Sequence, residues 1–156
     1  MQLHTTYHFF CVLILATAVC ASQSRVTFSQ TDSPRLELSI GGQKLEAEVA
    51  ATPDARDQGL MGRNRLADNH GMLFVFPEEH AYCMWMQNTH IPLSVAFINA
   101  KGVIINIVDM KPDSQDFHCA SKPIRYGLEM NAGWFDRKKI TPGKYVNGIE
   151  KAPAGQ

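Results

Sequence analysis

The chain has 156 residues, 45% of them hydrophobic and 19% charged, enough to enclose one core and short for two ordinary domains. Fifteen Lys and Arg balance fifteen Asp and Glu, and a net charge of zero argues against a nucleic-acid surface, which needs a basic excess. Four cysteines are too few for a disulfide-dense miniprotein.

Residues 1–24, MQLHTTYHFFCVLILATAVCASQS, contain no Asp, Glu, Lys or Arg, and their apolar centre runs from Phe9 to Val19. A helix needs about 20 residues to cross a bilayer. This run is short for a permanent anchor and fits the apolar region of a secretory signal peptide. Cleavage after Ala18 or after Ala21 leaves small residues at the expected positions. We read 1–21 as the signal peptide and 22–34 as a flexible leader. Cys20 as a lipid attachment point is the alternative. The protein is therefore expected to be exported, periplasmic or extracellular, with no permanent transmembrane helix in its mature form.

Leu36-Glu37-Leu38-Ser39-Ile40 alternates apolar and polar residues, as a half-buried strand does. Gly41-Gly42 signals a hairpin, and Leu45, Ala47 and Val49 continue the alternation on the return strand. Thr52-Pro53-Asp54 predicts a helix start, with an N-cap hydroxyl, Pro at the first position and an acid at the positive end of the dipole. Gly59 and Gly62 keep that helix short. Met72–Phe76 is a continuous apolar strand stopped by Pro77, and Tyr82–Gln87 is a second run rich in aromatic residues and Met. Leu93–Ile98 and Val103–Met110 flank a hairpin connection at 99–102. Tyr126, Leu128 and Met130 alternate with Gly127, Glu129 and Asn131, giving one greasy and one polar face. Asn131 is expected to cap a short helix through Trp134 and Phe135. Thr141-Pro142-Gly143-Lys144 fits a type II turn, and Tyr145–Ile149 a last strand. The fold class expected is mainly β: a compact antiparallel barrel or sandwich with one or two short helices, one domain over 35–150 and a disordered tail over 151–156.

The sequence lacks a phosphate-binding Gly-rich loop, a Gly-x-Ser-x-Gly elbow, His-Glu-x-x-His and Cys-x-x-Cys. The densest unusual segment is Tyr82–Leu93. On a strand, Cys83, Trp85 and Gln87 share one face, while Met84, Met86 and Asn88 share the other. Asn88 and Thr89, at a strand end beside Trp85, are candidate lining for a small pocket; an Asx-type turn closing a core strand is the plainer reading. Met84, Met86, His90 and Cys119 form a soft-ligand set suited to Cu(I), although Met also fills irregular cores without any metal. Asp109 and Glu129 are the candidate acid–base carboxylates, with a structural ion pair from Arg125 or Arg56 to Glu129 as the competing reading. In an oxidising compartment, a Cys83–Cys119 disulfide is the simplest use of the remaining pair.

Several motifs in order resemble a known family. These are Gln58-Gly59-Leu60-Met61-Gly62-Arg63, Gly71-Met72-Leu73-Phe74-Val75-Phe76, Met84-Trp85-Met86-Gln87-Asn88-Thr89-His90-Ile91-Pro92-Leu93, Leu128-Glu129-Met130-Asn131-Ala132-Gly133 and Gly143. Together they resemble the bacterial and archaeal family called domain of unknown function 192, over residues 36–148. The resemblance implies a compact, mostly antiparallel β domain, often behind a signal peptide, and no established reaction. Many members carry an acid after the Pro-Leu pair where this chain has Ser94, and a large residue after Met61 where it has Gly62. Cys83 with His118-Cys119 looks like the pattern of a subset of members, which implies a paired role.

The function expected is a noncatalytic module binding a small ligand, a glycan or an envelope protein near Arg63, Trp85, Asn88, Thr89 and Glu129. The alternatives are an envelope hydrolase using Asp109 or Glu129, and periplasmic copper binding. No cofactor and no nucleic-acid partner is implied.

Overall fold

The computed structural model describes residues 34–156. The expected signal peptide and most of the leader lie outside the described residues.

The described residues form nine strands and two short helices in chain order: β1 (Arg35–Ile40), β2 (Gln43–Ala50), α1 (Pro53–Gln58), β3 (His70–His80), β4 (Cys83–Met84), β5 (Leu93–Ile98), β6 (Ile104–Met110), β7 (His118–Cys119), β8 (Ile124–Asn131), α2 (Trp134–Arg137) and β9 (Val146–Asn147). Seven strands form one sheet in the order β6-β5-β8-β3-β2-β1-β9; β4 and β7 form a separate two-stranded ribbon. The fold is mainly β, a curled half-barrel. The Gly41-Gly42 hairpin pairs Ile40 with Gln43. Thr52 caps α1, its hydroxyl accepting from Ala55 N at 3.2 Å.

The pairing departs from all-antiparallel in one place. β2 and β3 run parallel, with Val49 opposite Leu73 and Ala50 opposite Phe74. A parallel pair needs a crossover rather than a tight turn, and α1 with the loop at 59–69 supplies it. β3 also continues past Pro77, whose ring removes a ladder donor. What Pro77 interrupts is the pairing: the β3–β8 register breaks between Val75 and His80.

Each face of the sheet carries its own core. Leu38, Leu73, Ala96 and Ile104 join Trp134 and Phe135 in one cluster. Because strands near both edges feed it, this is the concave face. Met72, Phe74, Val95 and Phe97 form the other cluster, roofed by Leu60, Met84, Met86 and Ile91. The continuous apolar run 72–76 is thus a strand buried on both sides.

Gly143–Asn147 closes the curl. Val146 pairs with Ile40 of β1, while Gly143 N donates to Ile104 O and Val146 N to Gly102 O at the start of β6. One segment therefore meets both outer edges of the sheet. The last strand is only Val146–Asn147, shorter than the sequence pattern predicts.

Two local expectations are corrected. Asn131 does not cap α2; Gly133 occupies that position, and the Asn131 amide donates to Leu66 O and Ala67 O, tying the crossover loop to β8. The tail is packed rather than disordered. Ile149–Lys151 is a 3-10 turn, Gln156 N donates to Ala51 O, and the Gln156 carbonyl accepts from Arg56 at 2.7 Å.

Candidate functional site

Directly paired residues in a ladder point to the same face. Glu48 pairs with Met72, Met72 with Glu129, and Glu129 with Val95, so these four form one row across the convex face. The row carries two carboxyls. Glu48 receives both arms of the Arg63 guanidinium, at 2.9 and 2.6 Å, which pushes the Arg63 pKa up. Glu129 lies deeper, 4% exposed. No ion pair or side-chain hydrogen bond reaches its carboxyl from the described residues. Burial alone lifts its pKa from the usual 4.5 to about 8. The polar stripe of β8 is therefore not a wet face, because the crossover and the β4–β7 ribbon cover it.

Glu129 opens onto a cleft of about 290 Å³. α1 and Gly59–Met61 form one wall. Phe74 and Phe76 of β3 lie alongside, and Tyr82–Trp85 with Thr89 form the other wall. Phe76 and Tyr82 stack face to face, centroids 3.8 Å apart. Gly59 sits so close that a Cβ there would lie 3.2 Å from the Phe74 ring.

The ribbon holds the outer wall. Cys83 pairs with Cys119, and the two are bridged with Sγ–Sγ 2.05 Å. Trp85, 44% exposed, runs parallel to the exposed Phe117 ring at 6.1 Å. Ala120 N donates to Tyr82 O, adding a backbone tie beside the disulfide.

The cleft brings together Trp85, Thr89 and Glu129 of the sequence candidates. Arg63 is spent on Glu48. Asn88 is exposed with φ 55°, and its carbonyl accepts from Gly62 N at 2.8 Å, which fixes the turn against the crossover. Asp109 pairs with Ser94, which points away from Glu129; Ser94 Oγ donates to Asp109 and accepts from Gly133 N. The two candidate catalytic carboxyls therefore lie on opposite faces. Arg125 donates to Pro77 O, and Arg56 donates to Ala51 O and Val75 O, so neither forms the ion pair with Glu129. Of the soft-ligand set, Cys119 is in the disulfide and His90 Nδ1 lies 2.9 Å from Asp113. Met84 and Met86 are core residues. Among the described residues no cluster of three or more His, Cys, Asp or Glu is placed to hold a metal, and no helix is long and apolar enough to cross a membrane.

Sequence reasoning missed Phe74, Phe76 and Phe117 as parts of the site. The apolar run around Phe74 and Phe76 reads the same whichever side faces the cleft. Phe117, isolated among polar residues, was visible as an exposed aromatic.

The solved structures similar to this chain include two from bacteria. One, from Sinorhizobium meliloti 1021 and described as a "putative transcription regulator", is 38% identical with TM-score 0.69, covering 74% of this chain and 92% of that one. A protein of unknown function from Novosphingobium aromaticivorans DSM 12444 is 30% identical with TM-score 0.68, covering 72% and 84%. No curated protein matches. The model of the domain of unknown function 192, described as "Uncharacterized ACR", matches residues 36–148, and the chain belongs to that family.

Proposed function

We propose that the protein is a noncatalytic binding module of the cell envelope, taking a small molecule, or the tip of a glycan or envelope partner, into the cleft over Glu129. The observation that carries this reading is a buried carboxyl that has no partner among the described residues, beside an open, aromatic-walled cleft. Ligand sites have this character, an apolar lining with few directed polar groups, and about 290 Å³ is at the small end of their range. Export is supported by the apolar run before residue 22 and by the Cys83–Cys119 bridge. The S. meliloti neighbour is described as a regulator. A role on DNA finds no support here, because the chain is neutral and its longest described helix has six residues.

The test is thermal unfolding of wild type and Trp85→Ala against a panel of sugars, amines and amino acids. A ligand at 100 times its Kd adds about 2.7 kcal/mol. The expected result is a stabilising compound whose effect falls in Trp85→Ala, with unliganded stability unchanged because Trp85 is half-exposed. A Trp85→Ala variant that unfolds without ligand would assign Trp85 to folding instead.

A second reading, an envelope hydrolase, is favoured by one observation: burial keeps Glu129 protonated near neutrality, as a general acid must be. It would work without Asp109. Wild-type turnover that is lost in Glu129→Gln with binding retained supports this reading; ligand binding with no turnover in the wild type supports the first.

A further inference from the structure

We infer that the cleft over Glu129 takes a small organic cation, an alkylated ammonium group, which supplies the positive charge that no described residue gives to this carboxyl. The inference rests on the cleft being a ligand site and names what enters it.

The two carboxyls of the convex row are treated differently by the fold. Glu48 has Arg63. Glu129, the more buried, has none among the described residues, although Arg56 lines the same cleft. The Arg56 guanidinium is committed elsewhere: it donates to Ala51 O, Val75 O and Gln156 O at 2.9, 3.0 and 2.7 Å, and its carbon lies 5.8 Å from the Phe76 centroid. Among the described residues the lining contains no lysine, and it holds a second acid, Asp57. An anion would meet two carboxyls there and, among the described residues, no uncommitted cation.

The walls favour a particular kind of cation. Phe74, Phe76, Tyr82 and Trp85 line the cleft together with the thioethers of Met61 and Met84. Aromatic faces attract weakly hydrated cations, and with Phe76 already engaged by Tyr82 and Arg56 it is the other rings that offer theirs. A primary ammonium asks for three acceptors, while the side chains at the inner end offer Glu129 and the Thr89 hydroxyl. A methylated ammonium asks for none. A sugar, with hydroxyls on every side, would leave most of them facing rings.

Ion pairing carries a proton cost that can be measured. The cation binds the carboxylate, so below the folded-state pKa of about 8 the Glu129 proton passes to solvent as the complex forms. Affinity then rises with pH up to about 8 and levels off. The other charged and titratable groups around the site are Glu48 and Arg63, Arg56 and Asp57 on α1, Tyr82 before β4, and His118, which pairs across from Met84.

The experiment is calorimetric titration with choline, and with its neutral isostere 3,3-dimethylbutan-1-ol, on wild type and Glu129→Gln at pH 6, 7 and 8, with glucose as a further solute. The expected result is choline binding that tightens about ninefold from pH 6 to 7 and about fivefold from pH 7 to 8, as it approaches the folded-state pKa. The isostere should bind at least about tenfold more weakly, and both the pH dependence and the preference for choline should vanish in Glu129→Gln. Equal binding of choline and the isostere, a pH-independent affinity, or no choline binding at millimolar concentration overturns the inference. If choline fails but glucose binds wild type and not Trp85→Ala, only the cation is refuted. If none of the solutes binds, the ligand site itself loses its support.

Discussion

Replacing Glu129 by Gln should convert a pH-sensitive fold into a less sensitive one. The amide keeps the shape of the protonated acid but cannot ionise. In the folded protein the Glu129 pKa is about 8, against an ordinary 4.5. Between these values the folded state holds a proton that the unfolded chain has released. Stability therefore falls as pH rises through this window, by about 1.4 kcal/mol per pH unit. Summed from pH 4.5 to 8 the loss is on the order of 4–5 kcal/mol, a large fraction of an ordinary domain's stability. Urea unfolding of both proteins at pH 5, 6, 7 and 8, disulfide intact, reads this directly. Taking the difference between the two cancels the histidines and the remaining carboxylates. The variant should nearly match wild type at pH 5 and exceed it by several kcal/mol at pH 8. Parallel stability curves across this range would refute the argument, since they would mean that Glu129 finds water or a partner in the folded state.

Two further outcomes follow from the packing around the cleft. Replacing both Cys83 and Cys119 by Ser opens a loop spanning 36 positions, which the chain-entropy model values at about 4 kcal/mol; a loss under about 1 kcal/mol by urea unfolding would mean that backbone pairing alone holds β4 to β7. Gly71→Ala places a Cβ against the Glu129 carbonyl and the Met130 sulfur, at an expected cost of about 1–3 kcal/mol, whereas Gly127→Ala, whose Cβ would lie 3.8–4.0 Å from Val95, Phe74 and Phe76, should cost less; equal losses in thermal unfolding would count against the close approach of β3 and β8.

Strands covered on one face, and turns with their own local chemistry, were legible from the sequence. β1 and β2 alternate because one face is core, and Gly41-Gly42 and Thr52-Pro53 act within a few residues of where they stand. The parallel β2–β3 pair was not legible, because a parallel ladder leaves no mark within either strand. Nor was the docked tail, whose carbonyl is held by Arg56, 100 residues away. The site was half legible. Trp85, Thr89 and Glu129 stood out as unusual types in a β pattern, and the cleft does gather them. Arg63, expected to direct hydrogen bonds to a ligand beside Glu129, is taken instead by Glu48, two strands from Glu129 in the same row. Asp109 and Glu129 could be separated only by register, and a shift of one residue decides which face a side chain joins.

Gly143–Asn147, which bonds both β1 and the start of β6, bears on how copies of this protein behave toward each other. Open sheet margins offer unpaired amides and carbonyls to any neighbour, a recognised route to fibrous aggregates. Here a few residues shield part of two such margins at once. A chain that lost this seam would bare adhesive borders at both ends of the sheet, so its solubility in crowded surroundings depends on a segment remote from the convex face.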